Sequence, residues 1–394
     1  MKINIKDIAL WILIFFGYNY YTRRLIYVKG ISLLDIIILG YIMISIFNKI
    51  KTKEYNIKKS NIIFFISLLI DFLVGIISGN KINYIFSDVM IIMNYMFWYL
   101  IIFNNKNKYN NKTYMLELFY YIALVSSVIC IINYIFPNGE INNFYKMMVS
   151  EKEEIQNRIY GPELSFWLPV IIDLIFNKFK KGKIKLFSFL ILGIPSIIIL
   201  KNRQTIVMFS LAIVLIFIYK IFTDKNYYKR IFSIYVLTFI AILGIYTIKT
   251  SNDPRIQNMI NIKMDTSIKY RLYTNDILHK EIKNNFPLGS GLGSTYYFQL
   301  NSNSEIIEYT ITDNTYITVM WKLNIISIIF LCLVIIKMYI SLKNRPAERI
   351  LLISMLSSGL VSTHLIRQTR YIVIMIYIYL ISSKSHLIKE DEVI

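Results

Sequence analysis

The sequence predicts an all-α polytopic membrane protein with about twelve transmembrane helices and one long extracytoplasmic loop. First, the 394 residues are 56% hydrophobic, and their mean hydropathy is +0.51. Second, apolar runs of about 15 to 25 residues, the length that a helix needs to cross a bilayer, recur along the whole chain. Third, lysines cluster in short polar segments between these runs, where basic residues set the orientation of a membrane protein.

The apolar runs divide the chain into three parts. Residues 1–248 contain nine predicted spans, residues 249–312 form the long loop, and residues 313–394 contain three more spans and a short cytoplasmic tail. The predicted spans are 7–22, 31–47, 61–78, 82–103, 113–136, 163–177, 185–200, 204–222, 231–248, 314–340, 349–366 and 369–383.

The basic residues predict the orientation of these spans. A net charge of +20 would suggest a nucleic-acid partner in a soluble protein, but here most lysines lie between spans, so we expect no nucleic-acid partner. Basic residues are more frequent in the short loops on the side of the two termini, which predicts cytoplasmic termini and an outer 249–312 loop. Cys130 and Cys332 lie inside apolar runs and indicate neither a disulfide nor a metal site.

Arginine is distributed differently from lysine. Eight of the eleven arginines fall on the predicted outer face. Arginine pairs with phosphate through two parallel hydrogen bonds, which favours a shared phosphate-binding role. Any single arginine could instead reach anionic lipid headgroups from a helix end. The eight are Arg23, Arg24, Arg158, Arg203, Arg255, Arg271, Arg367 and Arg370.

A helix is predicted inside the long loop, over Thr266–Asn285, and it ends before Pro287. On this helix Arg271, Asn275 and His279 recur every four residues and therefore share one side. The same side is expected to carry the apolar residues Ile268, Leu272, Leu278, Ile282 and Phe286. Such a face predicts either a helix over a partly charged mouth or a helix resting on the membrane surface.

Three glycines, Gly289, Gly291 and Gly293, follow in the stretch PLGSGLGS. Their spacing fits neither the nucleotide-binding nor the dinucleotide-binding fingerprint. We therefore expect turns that let the backbone re-enter toward the membrane. Beyond them, Asp313 and Asn314 lie at the outer mouth of the tenth span. The Asp313 carboxylate could cap that helix, or it could accept a proton from an attacking hydroxyl.

Polar residues at the outer ends of two other spans complete the candidate site. Arg158 and Glu163 flank a Gly-Pro pair in NRIYGPELSFWLPV, and Pro followed by Glu is typical of a helix entrance. Arg367 and Arg370 lie in HLIRQTRYIV, in a turn too tight to be a free loop.

Three stretches resemble the bacterial O-antigen polymerase and ligase superfamily: KNRQT, YRLYTNDILHKEIKNNFPLGSGLGS and DNTYITVMWKLNIIS. The topology is similar over most of the chain, and residue-level matches lie within 201–327. The resemblance implies a C-type glycosyltransferase membrane fold in which Arg203 and Arg271 hold a lipid-linked diphosphate. Asp313 stands where ligases commonly carry His, and its Asp-Asn pair is more similar to polymerases of capsule or O-antigen repeat units.

The resemblance implies a metal-independent glycosyltransferase of the bacterial inner membrane, with no cofactor. It would polymerise undecaprenyl-diphosphate-linked oligosaccharide units, with membrane lipids and a chain-length regulator as further partners. The alternatives are an O-antigen ligase and a lipid-oligosaccharide flippase with the same number of spans. The expected catalytic residues are Asp313, Arg203 and Arg271. The expected substrate-binding residues are Arg158, Glu163, Asn275, His279, Asn314, Arg367 and Arg370.

Overall fold

A computed structural model describes residues 27–28, 31–32, 36, 39–44, 47, 59–104, 112–136, 164–176, 182–200, 203–228, 230–235, 238, 266–298, 307–310, 312 and 314–360. Most of these residues are helical, which agrees with the predicted all-α class. The helices are α1 (Lys59–Ile77), α2 (Ile82–Asn104), α3 (Lys112–Ile135), α4 (Trp167–Phe176), α5 (Lys183–Ser188), α6 (Ile194–Leu200), α7 (Arg203–Thr223), α8 (Thr266–Asn285), α9 (Thr315–Lys322), α10 (Ile325–Ser341) and α11 (Pro346–Ser358).

Short irregular elements complete the described structure. A π-helical turn, Phe189–Gly193, joins α5 to α6. Two antiparallel hairpins pair β1 (Tyr27–Val28) with β2 (Ile31–Ser32), and β3 (Tyr296–Phe298) with β4 (Ile307–Tyr309).

One group of helices, which we call the apolar bundle, consists of α3, α4, α6, α7 and α11. Trp167 on α4 is fully buried at its centre, and its ring lies 5.3 Å from that of Phe189. Its Nε1 donates to Ser127 Oγ on α3 at 2.9 Å, so the indole N–H is satisfied. Phe119 and Leu352 are also fully buried in this core.

A second group, which we call the junction, consists of α1, α2, α8, α9, α10 and the β3–β4 hairpin. In it α1 packs on α2 and α10, and α8 packs on α9. Leu278, Tyr296, Ile317 and Trp321 form a small buried cluster where α8, β3 and α9 meet. The junction contains the segment between α8 and β3, residues 287–294, which we call the glycine loop.

The described helices agree well with several predicted spans. The bounds of α1, α2, α3 and α7 lie within two residues of the predicted 61–78, 82–103, 113–136 and 204–222. The predicted span 314–340 differs, because α9 ends at Lys322 and α10 begins at Ile325. The backbone is extended at Leu323, and Asn324 caps α10 by accepting a hydrogen bond from Ser327 N at 3.0 Å.

Within the described residues, one helical segment, Met115–Ile135, is long and apolar enough to cross a membrane. Shorter apolar segments are present in α1, α2, α4, α7 and α10. The predicted spans 7–22 and 369–383 lie outside the described residues. The count of about twelve spans therefore stays a prediction.

The helix predicted over Thr266–Asn285 is confirmed as α8. Two residues of the predicted apolar face, Leu278 and Ile282, pack in the buried cluster with α9. Leu272 and Phe286, which belong to the same predicted face, are 59% and 66% exposed. The packed side of α8 is therefore narrower than the predicted face, and the choice between a helix over a mouth and a helix on the membrane surface stays a prediction.

Candidate functional site

The glycine loop lies between the end of α1 and the break that separates α9 from α10. Two of its backbone amides donate to the carbonyl oxygens of Trp321 and Lys322, at 2.8 and 3.1 Å. These carbonyls end α9 and have no partner within that helix. A third amide, that of Leu292, donates to the carbonyl oxygen of Asp71 at 3.1 Å. The loop thus satisfies backbone groups on two helices.

The loop approaches α1 so closely that glycine is required on both sides. Gly291 has a φ of +79°, a conformation that other residues rarely adopt. A Cβ on Gly291 would lie 2.3 Å from the backbone nitrogen of Gly75, and a Cβ on Gly75 would lie 2.3 Å from the carbonyl oxygen of Leu292. Asn80 Nδ2 also donates to the carbonyl oxygens of Ser290 and Leu292, at 3.2 and 3.0 Å. The prediction that these glycines form turns is confirmed.

A buried ion pair fixes the loop from the opposite direction. Lys322 Nζ lies 2.5 Å from Asp88 Oδ2, and the two side chains are only 5% and 8% exposed. The same oxygen accepts a hydrogen bond from Gly293 N at 2.7 Å. Because a buried charge is stable only when it is paired and hydrogen-bonded, removing any of these groups weakens the position of the others.

A second buried carboxylate, Asp71, lies at the start of α10. It accepts hydrogen bonds from Asn324 N and Nδ2 at 2.6 and 2.8 Å, and from Ser327 Oγ at 2.7 Å. Ser67 Oγ donates to Asn324 Oδ1 at 2.9 Å. The start of a helix favours negative charge, and Asp71 occupies that position. The break between α9 and α10 is therefore held by side chains of α1.

α8 lies beside α9, and each of these helices carries one residue of the predicted site. The C-terminal ends of both helices meet at the glycine loop, and Leu278 shares the buried cluster with Ile317. The two helices therefore run in the same direction. Arg271 and Asn314 consequently lie on the same, N-terminal side of that cluster, and both are half-buried.

Asn314 is the N-cap of α9. Its Oδ1 accepts hydrogen bonds from Tyr316 N at 2.9 Å and Ile317 N at 3.2 Å. Of the two roles left open for Asp313, the capping role thus belongs to its neighbour. Asp313 lies outside the described residues, and its role as a base stays a prediction.

The structure describes the side chains of only some of the other predicted site residues. Asn275 is half-buried on α8, whereas His279 is exposed and lies away from the buried positions of that helix. Arg203 begins α7, and its side chain lies outside the described atoms. Four residues lie outside the described part of the chain: Arg158, Glu163, Arg367 and Arg370.

Sequence analysis missed the buried charges of the junction. A signal was present, because Asp71 and Asp88 interrupt the apolar runs 61–78 and 82–103. Ionisable residues are rare and costly inside such runs and indicate a functional or structural partner. Lys322 gave a weaker signal, since a cation near the end of a short helix is common.

The β3–β4 hairpin adds charged groups next to the α1–α2 turn. Glu308 Oε2 accepts hydrogen bonds from Lys81 Nζ at 2.6 Å and Tyr84 Oη at 3.0 Å. Tyr297 Oη donates to the other oxygen, Oε1, at 3.3 Å. The hydrogen bond from Lys81 lowers the pKa of the Glu308 carboxyl, and the same bond raises the pKa of Lys81.

Among the described residues, no three His, Cys, Asp or Glu side chains are grouped as metal ligands would be. No family model, curated protein sequence or solved structure matches the chain.

Proposed function

We propose that this chain is a multi-pass protein of the bacterial inner membrane that polymerises lipid-linked oligosaccharide units of a surface polysaccharide. The donor is a glycan on undecaprenyl diphosphate, and the acceptor is a sugar hydroxyl of another lipid-linked unit. One observation carries the proposal: α8 runs beside α9, so that Arg271 lies on the same side of the junction as the start of α9. Asp313 immediately precedes that helix start.

Contacts between helix ends support the proposed orientation. On the proposed outer face, Lys81 pairs with Glu308, and Thr315 N donates to the carbonyl oxygen of Gly359 at 2.9 Å. On the proposed cytoplasmic face, Lys185 Nζ lies 5.4 Å from the ring centroid of Tyr120, near the start of α3. Lys81 and Glu308 both lie in segments that the distribution of basic residues assigns to the outer face. Gly359 and Tyr120 lie within predicted spans, and their partners Thr315 and Lys185 lie at the span ends assigned to the two faces.

The residues suit the proposed chemistry. The acceptor hydroxyl oxygen attacks the anomeric carbon of the donor, and Asp313 accepts the hydroxyl proton. The bond between that carbon and the diphosphate oxygen breaks, and the lipid diphosphate leaves with the electron pair. Negative charge grows on the diphosphate, where the guanidinium groups of Arg203 and Arg271 stabilise it.

The test is chain growth by purified protein supplied with defined lipid-linked repeat units. We expect Arg271→Ala to lower the polymerisation rate about a hundredfold, on the order of 3 kcal/mol of transition-state stabilisation. Arg271→Lys should recover only part of this rate, because an ammonium cannot form two parallel hydrogen bonds with phosphate. In cells, deletion of the gene should leave single repeat units on the surface acceptor.

Lys280→Ala provides a matched control, because Lys280 is exposed on the same helix and its loss removes the same charge. Normal chain growth by both Arg271→Ala and Lys280→Ala would show that Arg271 does not hold the diphosphate. For Asp313 the informative change is Asp313→Asn, and unchanged chain growth by that variant would exclude it as the base.

A lipid-oligosaccharide transporter is a second candidate, favoured by the broken helix formed by α9 and α10. Asp71 lies at the start of its second half, and the Asp88–Lys322 ion pair lies at the end of its first half. Broken helices with charged partners are typical of transporters. If the protein is such a transporter, a strain that lacks this gene should carry no glycan at the surface. Proteoliposomes that contain the purified protein should then move lipid-linked units across the bilayer without chain growth. Those two results together would replace the polymerase proposal.

A further inference from the structure

The β3–β4 hairpin has an inner and an outer face. Tyr296 and Tyr309 are paired in register, with their rings stacked 5.6 Å apart, and the Tyr296 ring lies 5.8 Å from that of Trp321. Successive strand residues point to opposite faces, so the next pair, Tyr297 and Glu308, points away from this aromatic core. The inner face therefore anchors the hairpin on α9, and the outer face is presented to the surroundings.

Four side chains meet on that outer face. We call them the tyrosine platform, and they are Lys81, Tyr84, Tyr297 and Glu308. Glu308 is only 17% exposed and joins the other three, because its two oxygens accept from the ammonium and from both phenol hydroxyls. Tyr297 is 60% exposed and the Lys81 side chain is 57% exposed. The platform thus presents an exposed aromatic ring and an exposed ammonium group, and hydrogen bonds to the less exposed Glu308 fix the positions of both.

This combination has the chemistry of a sugar-binding surface. The C–H face of a sugar ring packs on an aromatic face, while its hydroxyls bond to a few fixed polar groups. The Lys81 ammonium has three donors, and its described contact with Glu308 uses one of them. The Glu308 carboxylate also accepts a hydrogen bond from the Thr295 side chain, so it is held in place by several donors and leaves Lys81 as the main group for sugar hydroxyls.

We propose that the tyrosine platform binds a sugar residue of the acceptor glycan, with Tyr297 as the stacking surface. This inference rests on the proposed function and extends it. Asp313 follows Glu308 by five residues along the chain, at most about 17 Å of extended backbone, so an acceptor glycan held on the platform would extend over the distance to the proposed base.

An aromatic anchor at the membrane interface is the competing role for exposed tyrosines. Such an anchor presents its ring at headgroup level, with its hydroxyl reaching the polar region. Here the hydroxyls of Tyr84 and Tyr297 are both bonded to Glu308, and the charge of Lys81 is neutralised by the same carboxylate. The platform therefore offers neither free hydroxyls nor net attraction to anionic lipids.

The test is direct binding of free oligosaccharides to the full-length protein in nanodiscs. The probe is a set of short oligosaccharides cut from the surface polysaccharide of the host by partial acid hydrolysis, followed by saturation-transfer NMR and calorimetry. We expect Tyr297→Ala and Lys81→Ala to raise the Kd about tenfold, a change of about 1.4 kcal/mol. Tyr297→Phe keeps the ring and should stay within about threefold of the wild-type Kd.

Tyr273→Ala is the matched control, because Tyr273 is 55% exposed on α8 and does not belong to the platform. Wild-type protein that binds no oligosaccharide, or Tyr297→Ala protein that binds as tightly as wild type, would overturn the proposal. Unchanged binding together with a lower Tm in bilayers for Tyr297→Ala would identify an interfacial anchor.

The same preparations separate this inference from the proposed function. If the wild-type protein extends chains and Tyr297→Ala binds oligosaccharides normally, the sugar-binding role of the platform is rejected and the polymerase proposal is retained. If oligosaccharide binding depends on Tyr297 but the wild-type protein extends no chains, the sugar-binding role of the platform is supported and the polymerase proposal is rejected.

Discussion

The apolar bundle and the junction are held together in different ways. The bundle is filled by buried apolar side chains such as Phe119 and Leu352, and such cores accept substitutions that conserve volume. The junction is held by buried charges and by backbone contacts between segments more than 200 residues apart, such as the hydrogen bond from Leu292 N to the carbonyl oxygen of Asp71. Removing one partner of a buried ion pair, or adding a Cβ at a close glycine-to-glycine contact, is strongly destabilising. We therefore expect the junction to tolerate substitution less well than the apolar bundle.

The strongest test of this difference is Gly75→Ala. Alanine in a helix is normally favoured over glycine by about 1 kcal/mol, but here its Cβ would lie 2.3 Å from the carbonyl oxygen of Leu292. We expect the glycine loop to be displaced and the yield of monodisperse protein in detergent to fall sharply. Gly40→Ala is the control, because no atom lies within 4 Å of its Cβ position. Equal yields and equal Tm for both variants would show that the close approach is not needed.

The next largest effect is expected for the buried ion pair. Asp88→Asn should cost about 3 to 5 kcal/mol, because Lys322 is left buried without its counter-charge. Lys322→Gln should be similarly destabilising, and the double variant should cost less than the sum of the two. The measurement is a double-mutant cycle from denaturant unfolding, with Asp276→Asn on the exposed side of α8 as the control. Strict additivity would mean that the two residues do not stabilise each other.

In the apolar bundle, a substitution that conserves volume should have a smaller effect. Leu352 is fully buried, and Leu352→Met should lower the free energy of unfolding by less than about 1.5 kcal/mol. The exposed Leu333→Met serves as the reference for a change outside the core. A loss for Leu352→Met as large as that for Asp88→Asn would erase the distinction between the two regions.

The smallest effect is expected at the pair Lys81–Glu308, in which the cation is exposed to solvent and the carboxylate is half-buried. The pKa of Glu308 is lowered below its ordinary value of 4.5, so its contribution to stability is present above that pH and is lost as the pH falls through the lowered pKa. The pKa of Lys81 is raised above 10.5, so its contribution is lost only as the pH rises through that raised value. The difference in Tm between wild type and Glu308→Gln should therefore shrink at acid pH and with added salt. A difference that grows on acidification would contradict this origin.

The bounds of a described helix could be predicted where they depend on the local sequence alone. Apolar length gave the bounds of α1, α2 and α3, and the proline and glycines after Asn285 gave the end of α8. Hydropathy could not locate the break at Leu323, because α9 and the strongly apolar α10 together form one continuous run of the length expected for a span. Asn324 was a local signal, since it is a preferred N-cap residue inside an apolar run.

The candidate site could be predicted only in part, for the same physical reason. The motif around α8 and α9 assigned Arg271 and Asn314 to one candidate site, and the structure describes both on the N-terminal side of the cluster that contains Leu278 and Ile317. Asp88 and Lys322 are separated by 234 residues, and no local pattern carries such a pairing. The roles of the residues outside the described segments stay predictions.

The long-range contacts of Asp71 have a consequence for synthesis of the chain. Asn324, which supplies two of its hydrogen bonds, is made 253 residues later. At about 5 to 20 residues per second, that gap corresponds to roughly 10 to 50 s of translation. During this interval the Asp71 carboxylate lacks its final donors and has to be hydrated or protonated. The contacts that join α1 to the start of α10 can therefore form only after ribosomal synthesis has passed Ser327.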